Sequence, residues 1–255
     1  MTVGILAAMH DEIAGLLADM GGADGTRVQR IGMRDYYVGE LERQPCVLVL
    51  ARIGKVAAAA TAVTLIRELG ATEIIFTGLA GGISPEVKVG DVVIGDRLVH
   101  HDLDVRPLFP RHEVPLLGLA EFSSDASLAT ELHEAANAFI QKELHRSVSC
   151  ETLSAFGIAQ PSLHRGLIAS GDQFVSEAAK AELLRAMLPT ALAVEMEGAA
   201  VAQICHEYGV PCAIVRTISD RADDSAHVDF VKFLSEVASR YSTGIVRSLL
   251  ARRGG

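Results

Sequence analysis

Tryptophan is absent from the 255 residues, and aromatic residues make up only 5% of them. A core of this chain therefore has to be built from aliphatic side chains. The four cysteines, Cys46, Cys150, Cys205 and Cys212, form no Cys-x-x-Cys pair. They read as reduced thiols of a cytoplasmic protein, not as a disulfide framework. No apolar run reaches the ~20 residues needed to cross a bilayer, so no membrane partner is expected. Met1–Ala8 carries no basic segment ahead of its apolar residues and reads as a first core strand, not a signal peptide. Positive charge is also scarce: 23 Lys and Arg against 32 Asp and Glu leave a formal charge of −9. A polyanion needs a basic face to bind, so nucleic acid is not expected as a partner. A small neutral or cationic ligand fits this balance better.

What the chain has is alternation. Short runs rich in β-branched residues (Val3–Ala8, Cys46–Ala51, Ile74–Thr77, Val92–Ile94, Gly166–Ala169, Leu192–Val194, Cys212–Ile218) take turns with amphipathic runs (Asp11–Met20, Lys55–Leu69, Leu128–Glu143, Glu177–Met187, Gly198–Tyr208, Phe230–Arg252). A hairpin is predicted around Val28–Gly39. This order predicts a single α/β domain over residues 1–255, with a mostly parallel sheet covered by helices on both faces. With 49% hydrophobic residues, one large core is within reach. The least regular stretch is His100–Phe122, with three prolines and several exposed apolar candidates. A loop of that length in a compact domain is usually functional, and it reads as a subunit or ligand contact or as local packing.

Five places could carry chemistry. Glu195-Met196-Glu197 breaks an apolar strand with two carboxylates, which are costly to bury unpaired. Two apart in an extended segment, they would face the same side. Met9-His10-Asp11-Glu12 puts two acids where a helix N-terminus favours negative charge, or where one of them turns inward as a base. Thr77-Gly-Leu-Ala-Gly-Gly82 offers backbone that can approach a ligand closely, or a plain turn. Ser170-Gly-Asp-Gln-Phe-Val175 presents Phe174 either as a stacking face for a planar base or as core. Arg216-Thr-Ile-Ser-Asp220 ends a buried strand on Asp220, either a catalytic acid at a strand's carboxyl end or a helix cap. His100, His101, Asp102 and Asp104 lack a secure metal spacing, and no metal or cofactor is expected. Gly-x-Gly-x-x-Gly and Gly-x-Ser-x-Gly are both missing.

In this order, these motifs together with Ile53-Gly-Lys-Val56 and Val89-Gly-Asp-Val-Val93 resemble those of the bacterial 5′-methylthioadenosine/S-adenosylhomocysteine nucleosidases, within the nucleoside phosphorylase superfamily. The resemblance covers nearly the whole chain. It implies a three-layer α/β/α fold with a central mixed, mostly parallel sheet flanked by helices. It implies a purine nucleoside as substrate, a homodimer, and a loop such as His100–Pro115 reaching toward the neighbour. Residue by residue, Glu12 matches the carboxylate that activates water, and Asp220 the acid that protonates adenine N7, with Ser219 beside it. Met196 and Glu197 match ribose contacts, Phe174 the ring stacked on adenine, and Val175 the residue whose backbone reads the base. Gly81, Met9 and Ile53 match further substrate contacts. Proton transfer then calls for Asp220 raised by burial and Glu12 lowered by its helix.

Water is expected as nucleophile, because Phe76 and Leu79 stand where related phosphorylases carry Arg and Ser. The alternatives are hydrolysis of another nucleoside such as futalosine, a phosphorylase, or a non-catalytic nucleoside-binding protein. Leu79 and Arg52 depart from the residues more usual in nucleosidases, Ser and Gly. Arg52 is expected near the pocket, tuning preference at the 5′ side. Extra length is expected around Glu143–His164.

Overall fold

A computed structural model describes residues 1–21, 26–223 and 226–254, side chains of 226–229 excepted. Its strands are β1 (Val3–Ala7), β2 (Arg27–Ile31), β3 (Arg34–Leu41), β4 (Gln44–Leu50), β5 (Glu73–Gly82), β6 (Val92–His100), β7 (Glu121–Ser123), β8 (Leu163–Ser170), β9 (Ala191–Glu195) and β10 (Cys212–Asp220). The helices are α1 (His10–Asp19), α2 (Lys55–Arg67), α3 (Ala126–Lys142), α4 (Leu144–Ser147), α5 (Cys150–Ala155), α6 (Ala178–Met187), α7 (Gly198–Tyr208), α8 (Ala226–Phe233) and α9 (Ser239–Arg253). A π-helical turn, Leu234–Ala238, joins α8 to α9. The expected strands and helices are present, and the extra sequence before His164 holds the two short helices α4 and α5.

The sheet is mixed. Strand β1 lies parallel to β4 on one side and to β5 on the other, and β4 continues through the antiparallel β3 and β2 as an open wing. On the other flank the sheet closes on itself. Strand β5 pairs in parallel with β10 and, at Gly81 and Gly82, antiparallel with β9, while β10, β6, β8 and β9 run round between those two partners. The last residues of β5 are crowded between these two neighbours. A Cβ on Gly81 would sit 2.9 Å from Asp220 Oδ1, and one on Gly82 3.2 Å from Ile218 Cγ2. A side chain at position 81 would displace the Asp220 carboxylate, and one at position 82 would crowd Ile218.

The buried strands read as unbroken apolar runs because both faces are covered. One core lies between the sheet and helices α1, α3 and α9, through Leu16, Leu132, Phe139, Tyr241 and Leu249. A second lies against α2 and α7, through Ala58, Leu65, Val201 and Cys205. A third joins α6 to β8 and β9 through Leu184 and Val194. Local signals end and begin these elements. Gly209, at φ 64°, caps α7 with its N–H on the carbonyls of Cys205 and His206, the left-handed C-terminal stop that glycine favours. Asp125 caps α3 by accepting from Leu128 N. The topology brings the carboxyl ends of β1, β5, β9 and β10 together with the loops after β4 and β8.

Candidate active site

At those converging ends lies a cavity of about 350 Å³. Of the ten residues singled out from the sequence, nine line it: Met9, Glu12, Ile53, Gly81, Phe174, Val175, Met196, Glu197 and Asp220. The tenth, Ser219, is buried beneath it and donates to Asp220 Oδ2 at 2.7 Å.

Glu12 occupies the third position of α1, but its side chain folds back over the helix start. Oε2 accepts from the amides of Ala8 (2.9 Å) and Met9 (2.8 Å), and Oε1 from Leu79 N at 3.1 Å. The acid therefore bridges the ends of β1 and β5. Burial pushes its pKa up from the usual carboxylate range, against the lowering effect of these amides and of Arg216. The expected lowering by the helix start is thus outweighed, because Glu12 is only 2% exposed and desolvation disfavours the ionised form more than three N–H groups favour it.

Asp220 ends β10 just past a register shift between Ile218 and Asp220. Such an irregularity re-aims side chains at a strand end. Its Oδ1 accepts from Ala222 N at 2.8 Å.

Glu195 and Glu197 both border the cavity, but not as neighbours two apart in a strand. Strand β9 stops at Glu195, and Glu197 has the φ −140°, ψ −37° of a residue entering α7, so the two are not on one extended segment and take different partners. Glu197 Oε1 accepts from Gly54 N at 2.8 Å. Glu195 is saturated within the protein. It takes N–H groups from Glu197 (3.2 Å) and Gly198 (2.9 and 3.0 Å), the Ser170 hydroxyl, and Arg216 Nη2 at 2.7 Å. Arg216 is itself 1% exposed, lies over the Phe76 ring at 4.1 Å from its centroid and donates to the carbonyls of Phe76 and Val215. Removing either member would strand a buried charge, at about 3–5 kcal/mol.

Burial, and then the neighbouring Glu195 charge, push Glu197 up to about 8. A carboxyl group raised in the folded state contributes stability that is whole below its unfolded pKa and is lost as pH rises through the folded value. Wild-type stability should therefore fall between pH 4.5 and pH 8 on account of Glu197. Glu197→Gln, which never ionises, should lack that part of the fall, a difference on the order of a few kcal/mol by pH 8. Thermal melts of both proteins across this range test it, and parallel curves would refute it.

Residues that sequence reasoning left without a role also shape the site. Phe230 lines the cavity and meets Phe174 edge to face at 5.5 Å; its signal was one of few aromatics, at the head of the last helical run. Gln173, Val194 and Leu79 line it too. The Gly54 amide had a signal in the Ile53-Gly-Lys-Val56 motif, and Arg216 in being a cation inside an apolar strand. Arg52 is a correction. It does not line the cavity; at φ 72° it turns to the hairpin side and donates to Met33 O at 2.6 Å. No residue of the His100–Phe122 loop lines it either. His100 Nε2 pairs with Gln203 Oε1 at 3.0 Å, and the His101 ring packs against Gly171.

The closed mixed sheet gathers carboxylates at its strand ends around this cavity, and the model of the phosphorylase superfamily matches residues 2–251. A 5′-methylthioadenosine/S-adenosylhomocysteine nucleosidase from Marinomonas sp. (strain MWYL1) is 35% identical over 249 residues, covering 97% of each chain. The crystal structure of the nucleosidase of the same name from Neisseria meningitidis, in complex with methylthio-immucillin-A, superimposes with a TM-score of 0.85 at 36% identity, over 98% of this chain and 99% of that one. Futalosine hydrolase of Helicobacter pylori superimposes at 0.83 with 29% identity, over 99% and 98%. The chain belongs to the phosphorylase superfamily and, within it, to the 5′-methylthioadenosine/S-adenosylhomocysteine nucleosidase family.

Proposed function

We infer that the protein hydrolyses the N-glycosidic bond of adenine nucleosides of the 5′-methylthioadenosine, S-adenosylhomocysteine and 5′-deoxyadenosine type, releasing adenine. The observation that carries this is the lining of the cavity, acidic groups without a cation. Glu12, Glu195, Glu197 and Asp220 line it, and among its described lining residues there is no Lys, Arg or His. A phosphate co-substrate needs cationic or hydroxyl donors, and no lining side chain among the described residues supplies a cation for it. Water needs no such donor.

The positions of the lining residues support a role for each. Adenine leaves poorly as an anion, so Asp220 protonates N7, held in place by Ser219 and the Ala222 amide. Positioned proton transfer of this kind is worth about 10²–10⁴-fold. The ribose becomes oxocarbenium-like, and nearby carboxylates stabilise that positive charge. Glu197 holds the sugar hydroxyls with Met196 against the sugar. Phe174 stacks on adenine, Phe230 supporting its edge, and the Val175 backbone reads the base; Gly81, Met9 and Ile53 complete the contacts. Glu12 takes a proton from the attacking water. Its raised pKa makes the ionised form a stronger base and places the acid-side loss of activity above the ordinary carboxylate range. Proton transfer and water suffice, so no metal or cofactor enters.

A homodimer accords with the apolar surface beside the site. Val56, more than 80% exposed, lines a groove of about 330 Å³ with Leu103, Val114, Pro115 and Ile204, and Leu108 and Leu116 of the loop that supplies Leu103, Val114 and Pro115 are as exposed. Exposed apolar surface of this extent favours a partner. A cytoplasmic place in nucleoside metabolism and methionine salvage accords with reduced, mostly buried cysteines and with a sulfur-bearing product.

Adenine release from methylthioadenosine should proceed at the same rate with and without phosphate. Strict dependence on phosphate would make the protein a phosphorylase, and tight binding without release a binding protein. Futalosine is the second candidate substrate, favoured by the likeness to the Helicobacter enzyme, and belongs in the same assay.

A further inference from the structure

Lys55, after Ile53-Gly54, and Asp172, before Gln173-Phe174-Val175, are charged residues of two site-forming loops that take no part in the reaction described so far. In the fold they meet, together with Asp102. Asp172 Oδ1 accepts from Lys55 N at 2.9 Å, and Asp172 N donates to Asp102 Oδ2 at 2.8 Å. Lys55 Nζ donates to Asp102 Oδ1 at 2.6 Å and lies 3.8 Å from Asp172 Oδ2. Three loops, after β4, β6 and β8, are thus tied by one cation and two carboxylates. Burial works against ionised Asp102, yet Lys55 and the Asp172 amide hold its pKa below the usual value.

Gly54 lies at the centre of this knot. Its φ is 98°, and a Cβ there would sit 3.3 Å from Asp172 Oδ1. The Asp172 carboxylate therefore rests on Gly54 and grips the next amide, Lys55 N. The segment whose Lys55 amide Asp172 holds gives its preceding amide, Gly54 N, to Glu197 Oε1 at 2.8 Å. Ile53, one residue earlier, and Phe174, two residues after Asp172, both line the cavity.

We propose that Asp172, with Lys55 and Asp102, is a positioning residue that sets the Gly54 amide on the ribose carboxylate Glu197 and fixes the distance between that carboxylate and the Phe174 face. Asp172 touches no reacting atom. Its effect on turnover rests on the nucleosidase reading, but its effect on Glu197 does not. Displacing a substrate-holding group by an ångström or so is enough to cost a large factor in efficiency.

Asp172→Ala should raise the KM for methylthioadenosine by about tenfold or more with kcat changed far less. Asp172→Asn keeps an oxygen for Lys55 N and should recover most of that loss. Lys55→Met keeps the amide but not the ammonium and should fall between them. Glu197 is faced by Glu195, Glu12 and Arg216 as well as by Gly54, and the Gly54 amide lowers its pKa. Losing that amide should carry the Glu197-linked fall in melting temperature of Asp172→Ala to higher pH than in wild type. This second readout needs no catalysis. An active wild type with an unchanged KM in Asp172→Ala would overturn the proposal. So would melting curves lowered equally at every pH, as a merely structural residue would give. A wild type that releases no adenine would instead overturn the nucleosidase reading, leaving the melting curves to judge Asp172.

Discussion

Asp220→Asn is expected to slow adenine release by about 10²–10⁴-fold, the usual worth of a positioned general acid, while nucleoside binding survives. The substitution is nearly isosteric, and its surroundings can absorb it. The amide oxygen can keep the Ala222 N–H, now 2.8 Å from Oδ1. Ser219, which donates to Oδ2, can turn its hydroxyl toward Ala80 O, 3.4 Å away, and accept from the new amide. What asparagine lacks is an acidic proton to transfer; its amide N–H can donate a hydrogen bond but not protonate N7. The loss should therefore fall on kcat, with KM little changed, the pattern of an interaction made only in the transition state. A nucleoside whose leaving group needs no protonation should lose far less rate in the same variant. Adenine release measured over a range of substrate concentrations decides this, and turnover equal to wild type would remove Asp220 from the chemistry.

Glu12→Gln should be comparably damaging to hydrolysis, for a different reason, and should also cost stability. Both Glu12 oxygens accept backbone amides: Oε2 those of Ala8 and Met9, Oε1 that of Leu79. A glutamine that satisfies the first pair turns its NH₂ toward the Leu79 N–H, donor against donor. A buried donor left unmatched costs about 1–3 kcal/mol, which a thermal melt reads directly. The kinetic loss, about 10²–10⁴-fold for a general base, should remain at temperatures where the variant is folded and still binds a substrate analogue. Normal hydrolysis by the folded variant would take Glu12 out of the mechanism. The two variants should also change the pH profile differently. The acid-side limb of the wild type, displaced upward because burial raises Glu12, should be missing from the residual activity of Glu12→Gln and retained in that of Asp220→Asn.

Much of the site was legible in the sequence because its members sit at breaks in pattern. Glu12 follows an apolar strand, Asp220 ends one, and Glu195-Met-Glu197 interrupts another. Strand ends are where an α/β sheet gathers its ligand groups, so sequence order and residue type were enough to name them. The helices and strands were legible for the same reason: period-2 and period-3.6 patterns are local properties of the chain. The closure of the sheet was not. That β5 pairs with both β10 and β9 depends on glycines whose meaning is a close approach between strands more than a hundred residues apart.

Charge partners were likewise invisible. Nothing in Ala193–Glu197 says that Glu195 meets Arg216 while Glu197 meets Gly54. Arg52 was misplaced because a left-handed backbone angle, not proximity in sequence, turns it toward Met33. The pKa of Glu12 went the opposite way from its helix position because burial is a sum over the whole fold.

The sequence by itself determined the class of fold, the residue types at the strand ends and the family, since these rest on local periodicity, on motif order and on the absence of basic, metal-binding and dinucleotide signatures. Only the tertiary structure decided which carboxylate is neutralised by a buried arginine and which accepts the Gly54 amide. Electrostatic roles depend on distance and desolvation, and both are set when residues far apart in the chain are packed out of water together.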